Sequence, residues 1–394
     1  MDIGSGSVTV SVIHSDPRKK NYSVVWRSQG WLLQKDVQGA DDTAKHILSL
    51  ATDLVLKFST EGISALKSFD PNGTIEVFQV SVSAPWSYTI TKRVTFEKDT
   101  PFKVDSLLID ELLTSAETTI AEELRENERA HELGLSIVSK VSSDIVVNGY
   151  KIDHLTKEKA NNISLSHTSI VIQNYLLENL RSVHESLLPS TKLEIYSYMI
   201  QIFSLIRSMH PELKEYCLIN QTMEAVEVGI VRNGTLTYCT HEPYGTAHFV
   251  RDVAAATGTP VGEVLGVVQA NTFKKYLSHF SSEKQSAIQS IIERYQTTIT
   301  QLLQQTGDDF LIPNIIYMHS NSGSYNFFKK HAEQGAKVVT RADVLIKNTD
   351  SELILRNIVD TASVSQSKTP SFQTDLVSGH FFHTLQDTLH FRHV

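Results

Sequence analysis

The sequence predicts an α/β protein with two lobes and a small inserted α+β domain. Three observations lead to this prediction. The chain has 394 residues, about twice the size of a common single domain. Strands and helices alternate along most of it, as in a mixed or parallel sheet covered by helices. Two strand hairpins, near residues 8–26 and 217–239, begin similar halves.

The composition excludes several classes of protein. Two cysteines, Cys217 and Cys239, are too few for a disulfide framework or a multi-cysteine zinc site. No stretch approaches the 18 or so apolar residues of a spanning helix. A net charge of −8 without a basic run argues against nucleic acid as a partner. We therefore expect a cytoplasmic protein.

The first lobe is expected to begin with a hairpin and a helix. Val8, Val10 and Val12 alternate with polar residues, as in a half-buried strand. A polar turn follows at residues 15–21, and a second strand begins at Tyr22. Residues 44–58 have the apolar spacing of an amphipathic helix. This part of the first lobe spans residues 1–72.

A small α+β domain is expected at residues 73–153, after the turn residues Pro71, Asn72 and Gly73. Its predicted strands cover residues 74–82, 87–96, 135–147 and 150–152, and its predicted helix covers residues 104–132. The element order, two strands, a helix and further strands, is typical of an inserted module. The expected first lobe then resumes at residues 154–210 with two strand–helix repeats.

The second lobe is predicted to span residues 211–357. Its hairpin has the turn Asn233-Gly234, a strong hairpin signal. A long helix is expected around residues 288–303, since apolar residues recur there at helical spacing. A buried strand is expected at residues 311–318. A polar linker, residues 358–376, and an aromatic and histidine-rich tail, residues 377–394, complete the predicted organisation.

Three loops beside apolar strands carry the candidate chemistry. They are residues 2–7, 220–224 and 320–324, and the chain has only 18 glycines where about 7% of residues would be usual. Glycine loops can bring backbone N–H groups against phosphate oxygens. Asp2 could hold Mg²⁺, which prefers one or two carboxylates together with phosphate oxygens. Two such hairpins would clamp a triphosphate between the lobes.

This layout resembles the actin-like ATPase superfamily, and within it the FtsA/PilM branch. Residues 2–7 are similar to the first phosphate motif of the family, and residues 217–248 are similar to the second, including Pro243-Tyr244-Gly245. Residues 315–332 are similar to the adenosine motif, so the resemblance covers residues 1–345. It implies an actin-like (ribonuclease H-like) fold, ATP and Mg²⁺ as cofactors, and these nucleotide-binding residues: Asp2 (also the metal ligand), Gly4, Ser5, Gly6, Ser7, Asn220, Thr222, Glu224, Ser322, Gly323 and Ser324.

The resemblance also implies a function. FtsA-like and PilM-like proteins are scaffolds at the cytoplasmic face of the membrane, where they anchor a division ring or a type IV pilus base and associate with themselves or with membrane-linked partners. Asn220 and Thr222 replace the Asp and Gly of the family's second motif, so we expect at most a weak ATPase and assign no catalytic residue. Two alternatives remain open: a pseudo-ATPase that serves only as an interaction module, and a sugar or acetate kinase. Because family members carry a few apolar residues before the Asp that matches Asp2, we also expect a shortened first strand.

The tail has a pattern of its own. Phe382, Leu385 and Leu389 share one helical face with Phe381 beside them, which is typical of a helix that contacts a membrane or a partner protein. The tail has little positive charge, so a protein partner or self-contact is at least as good a match as anionic lipid. Its four histidines favour a solvated end over a metal site.

Overall fold

The computed structural model describes most of the chain and builds it around three sheets of five strands each. The residues it describes are 1–16, 18, 22–32, 40–126, 134–152, 159–305, 311–320, 323–349, 374–388 and 390–393. Two of the sheets form the two lobes, and the third forms an inserted unit.

The first lobe is a mixed sheet with helices on both faces. Its strands are β1 (Asp2–Ile3), β2 (Ser7–His14), β3 (Ser23–Trp31), β4 (Val77–Val82) and β9 (Lys192–Ser197), in the order β3-β2-β1-β4-β9. One face packs on α1 (Ala40–Lys57), a π-helical turn (Phe58–Gly62), α2 (Ile63–Phe69) and α4 (Asn174–Leu187). The other face packs on α5 (Tyr198–Met209) and α11 (Thr374–Thr388). The apolar spacing that predicted α1 is explained by this packing, since its Ile47, Ala51 and Val55 are buried in the core.

The second lobe repeats the order and directions of the first. Its strands are β10 (Tyr216–Gln221), β11 (Val226–Arg232), β12 (Thr235–Glu242), β13 (Ile315–Ser320) and β14 (Leu345–Asn348), in the order β12-β11-β10-β13-β14. Its helices are α6 (Thr246–Thr257), α7 (Val261–Gln269), α8 (Phe273–Leu277), α9 (Ser282–Gln304) and α10 (Tyr325–Thr340). In both lobes the first three strands in the chain are antiparallel neighbours, and the last two run parallel to the first. The two lobes are therefore a structural duplication.

The inserted unit is an antiparallel sheet with one helix against it. Its elements are β5 (Ser87–Lys103), α3 (Ser106–Glu126), β6 (Leu135–Val147), β7 (Tyr150–Ile152), β8 (Lys159–Gln173) and β15 (His390–His393). Leu112 and Leu113 of α3 are buried against Ile163 and Leu165 of β8. The strand expected at residues 74–82 lies outside this unit: as β4, it pairs with β1 and β9, because its alternate apolar side chains face the core of the first lobe. β8, in the stretch expected to resume the first lobe, belongs to the insert sheet.

The C-terminal helix α11 packs into the first lobe. Leu376, Val377 and Phe381 have no exposed surface, and Phe382 is half-buried. The side chain of Leu385, the residue Leu389, and residues 358–373 of the predicted linker lie outside the described part of the structure. Among the described residues, no helix is long and apolar enough to cross a membrane.

Candidate functional site

The hairpin loops of the two lobes touch each other. The Ser5 hydroxyl donates a hydrogen bond to Thr222 Oγ1 at 3.0 Å, and the backbone N–H of Glu224 donates to Ser5 Oγ at 2.9 Å. Thr222 Oγ1 also accepts the N–H of Ala225 at 3.0 Å, which closes the second loop on itself. The structure thus brings together the two loops that were predicted to bind phosphate, and it joins them directly.

Met223 fills the space between these loops. A Cβ atom built on Gly6 would lie 2.1 Å from Met223 Cγ, so the absence of a side chain at Gly6 is what makes room for Met223. The cavity beside Ser5, Gly6, Met223 and Glu224 measures about 90 Å³. Pockets for small ligands usually measure about 300–1,000 Å³. The cavity between the described parts of these two loops is therefore too small for a triphosphate.

Asp2, the predicted metal ligand, is buried beneath the C-terminal helix. It is 1% exposed, and the Thr374 hydroxyl of α11 donates a hydrogen bond to its Oδ2. Its Oδ1 has no hydrogen-bond partner among the described residues. Burial raises the pKa of Asp2 to about 6, because the ionised form is poorly solvated there. Within the described residues, no group of three or more His, Cys, Asp or Glu side chains is placed to hold a metal ion.

The first loop is held internally as well. The Gly4 N–H donates to the Ser7 carbonyl at 3.0 Å, and the Leu32 N–H donates to the Gly6 carbonyl at 3.0 Å. Ser7 is buried. These bonds fix the turn and tie it to the end of β3.

Glu224 is part of an ion pair with the first helix of the second lobe. Its Oε2 lies 3.0 Å from Arg251 Nη2 and 3.3 Å from His248 Nδ1, both on α6. Since its backbone N–H also reaches Ser5, Glu224 links the first loop to α6. The carboxylate is neutralised by Arg251 and is only 4% exposed.

Asn220 belongs to a polar row across the second-lobe sheet. In the strand register Asn220 stands opposite His319 on one side and Glu227 on the other, and Glu227 stands opposite His241. The Asn220 amide donates to Glu227 Oε2 at 3.4 Å. Burial raises the pKa of Glu227 to about 8 and lowers the pKa values of His319 and His241 to about 3 and about 4. At neutral pH, all four side chains are therefore predominantly uncharged.

The third loop follows β13. Ser324 is buried and its hydroxyl lies 3.2 Å from that of Ser320. Gly323 has a φ of 71°, a left-handed conformation that favours glycine. Ser320 pairs with Gln221, so this loop begins beside the second loop. Ser322 lies outside the described residues.

Three residues that shape this region were not predicted from the sequence as site residues. Met223 fills the space between the two loops, Arg251 forms an ion pair with Glu224, and Thr374 donates a hydrogen bond to Asp2. A bulky Met beside small and polar loop residues was a signal for the filled space. Nothing in the local sequence indicated the contact between Thr374 and Asp2, because 371 residues separate them along the chain.

The duplicated sheets define an actin-like, two-lobed α/β fold. One solved structure with a similar fold is a "PilM-PilN type IV pilus biogenesis complex": the TM-score is 0.54 with 9% sequence identity, over 98% of this chain and 95% of that chain. A putative N-acetylmannosamine kinase from Listeria monocytogenes gives a TM-score of 0.43 with 12% identity, over 98% and 97% of the two chains. An Aquifex aeolicus Ppx/GppA phosphatase gives a TM-score of 0.39 with 7% identity, over 88% and 93%. No protein-family model and no curated protein matches the sequence.

Proposed function

We propose that this chain is a scaffold of the PilM type, which binds a membrane-linked partner at the cytoplasmic face of the membrane and does not turn over ATP. The similarity to the PilM-PilN structure supports this proposal at the level of the fold. In this proposal, the two lobes form a rigid frame. The cleft that the resemblance assigns to a nucleotide serves to join them instead. The proposal corresponds to the interaction-module alternative within the FtsA/PilM resemblance.

One observation carries the proposal: the direct contact between the two phosphate-type loops. Ser5 uses its hydroxyl both as a donor to Thr222 and as an acceptor from Glu224. A nucleotide would need these loops to separate and Met223 to leave its position against Gly6. Buried hydrogen bonds of this kind each contribute about 1 kcal/mol, and a separated donor or acceptor would need a new partner.

Calorimetric titration of the full chain with Mg²⁺-ATP and Mg²⁺-ADP tests the proposal. We expect no binding at nucleotide concentrations up to about 1 mM, which corresponds to a binding free energy weaker than about −4 kcal/mol. Micromolar binding by the parent chain that disappears in Asp2→Ala would overturn the proposal and favour a nucleotide-switched scaffold. Sedimentation of the same samples checks self-association, which we expect to be unchanged by nucleotide.

A further inference from the structure

A second and larger cavity lies between the inserted unit and the second lobe. It measures about 880 Å³, within the usual range for small-ligand pockets. Its walls come from the beginnings of β5 and β6 in the insert and from the end of β12 in the second lobe. Of the predicted nucleotide-binding residues that the structure describes, only Glu224 lines it.

Most of the cavity wall is apolar or aromatic. The side chains that form this part of the wall are Trp86, Tyr88, Ile90, Leu124, Leu135 and Pro243. Tyr88 packs against His241 with 4.6 Å between ring centroids. Such a wall favours a ligand with an apolar body.

Glu227 is the unusual group in this wall. It is 2% exposed, and among the described residues its carboxylate has no ion pair and one long hydrogen bond, from the Asn220 amide at 3.4 Å. Glu224, by contrast, is paired with Arg251 at 3.0 Å. A buried carboxyl group without a cation is costly when ionised, and burial accordingly raises the pKa of Glu227 to about 8.

Trp86 supplies an independent observation. The side chain lines the cavity and is 4% exposed, and its indole N–H has no acceptor among the described residues. Buried donors normally have a partner. The remaining charged groups of the wall, Lys45 and Glu242, are exposed, and His248 lies beside Glu224.

We propose that this cavity binds an organic cation, an ammonium or guanidinium group on an apolar body, with the charge against Glu227 and an acceptor atom at the Trp86 N–H. A charge-assisted hydrogen bond to a carboxylate is strong where water is excluded. Trp86 and Tyr88 add aromatic faces that attract cations. The group can be a free amine or a Lys or Arg side chain of a polypeptide.

Titration with phenylbutylamine and with its neutral analogue phenylbutanol tests the site on the full chain. We expect the amine to bind about tenfold more tightly than the alcohol at about pH 8.5. Because the ionised form of Glu227 binds the amine better than the protonated form, the affinity of the amine should rise by about tenfold in total between about pH 6 and about pH 9. Glu227→Gln should lower the affinity about tenfold and flatten the profile, whereas Glu242→Gln, the same change at an exposed position of the wall, should alter it less than about threefold.

The comparison of phenylbutylamine with phenylbutanol and the pH profile of the parent chain test the proposal even if Glu227→Gln fails to fold. Equal binding of amine and alcohol, a flat profile in the parent chain, or no binding of the amine would each overturn the proposal. A third probe, the peptide acetyl-Leu-Lys-Leu-amide, identifies the source of the cation: tighter binding than phenylbutylamine supports a polypeptide side chain, and weaker binding supports a free amine. The nucleotide titration has no bearing on these outcomes, so the two proposals can fail separately.

Discussion

At the scale of single residues, Asp2 shows how a residue matching a motif can have a different environment from the one the motif implies. The resemblance places it as a ligand of Mg²⁺, which requires an ionised, accessible carboxylate. In the structure it lies in the buried interior of the first lobe, where desolvation favours the protonated form more strongly than the hydrogen bond from Thr374 favours the ionised form. If Asp2 were a metal ligand, removal of its charge should destabilise the chain. If Asp2 is a buried carboxyl group, removal of its charge should stabilise the chain.

We expect Asp2→Asn to stabilise the chain at neutral pH. Burial raises the pKa of Asp2 from 3.8 to about 6, so the folded chain retains a proton that the unfolded chain releases between those values. Stability is therefore lost as pH rises through this window, by about 2–3 kcal/mol for this one group. Urea unfolding at about pH 7 should show this gain for Asp2→Asn, and the gain should vanish at about pH 3, where the carboxyl group is mostly protonated in both states.

Asp53→Asn provides the matched control, because Asp53 is exposed on α1. Its stability should follow that of the parent at both pH values, within about 0.5 kcal/mol. A loss of stability in Asp2→Asn at neutral pH would show that the ionised carboxylate makes a favourable contact, as a metal ligand would.

At the scale of elements, the turn before α6 is fitted against the second loop. Gly245 lies at the third position of the Pro-Tyr-Gly segment that the resemblance singled out. A Cβ atom there would lie 2.3 Å from the Met223 carbonyl oxygen and 2.4 Å from the Ala225 nitrogen. Because both neighbours are backbone atoms of a hydrogen-bonded loop, neither can move aside cheaply.

Gly245→Ala is expected to destabilise the chain by about 3 kcal/mol or more, at the upper end of the cost of overpacking. Denaturant unfolding measures this loss. Gly266→Ala is the control: Gly266 lies inside α7 with open space around it, and alanine in a helix should be neutral or stabilising by up to about 1 kcal/mol. Equal effects of the two substitutions would contradict the tight fit of the turn on the loop.

The elements also show how far the sequence could predict this structure. Periodicity identified α1 and α9 and the two hairpins, because each buries one regular face against the core of its lobe. The Asn233-Gly234 turn was equally clear, and both residues have the positive φ values, 52° and 74°, that a tight hairpin turn requires. Strand partners were harder to predict: strands were expected both at residues 74–82 and within residues 154–210, and only long-range pairing decides which sheet each strand joins. The packing of Met223 and the hydrogen bond of Thr374 depend on such long-range contacts too.

At the scale of the whole molecule, the two lobes are joined through the cleft that the resemblance predicted to be a nucleotide site. The repeated strand order places the first hairpin of each lobe at the same interface. An actin-like switch would need a ligand between these hairpins. In this chain Ser5 contacts Thr222 there, and Met223 packs against Gly6. A ligand can open or close such an interface only if it binds one arrangement better than the other.

A disulfide across the cleft would reveal whether the lobes stay closed in solution. Ser5 Oγ and Thr222 Oγ1 are 3.0 Å apart, so cysteine sulfurs at these two positions would lie within about 1 Å of the S–S distance of a disulfide, which is about 2.0 Å. We expect the variant with Ser5→Cys and Thr222→Cys to crosslink completely under mild oxidation, at a rate that Mg²⁺-ATP does not change. The single variants control for Cys217 and Cys239, of which the first is fully buried and the second partly so. Slow crosslinking in the double variant, or protection by Mg²⁺-ATP, would mean that the loops separate and admit the nucleotide, and the scaffold would then be a switched one. If the two lobes are permanently joined, crosslinking should be fast and its rate should not depend on nucleotide. The reason is that loops that never separate offer ATP no second arrangement to bind.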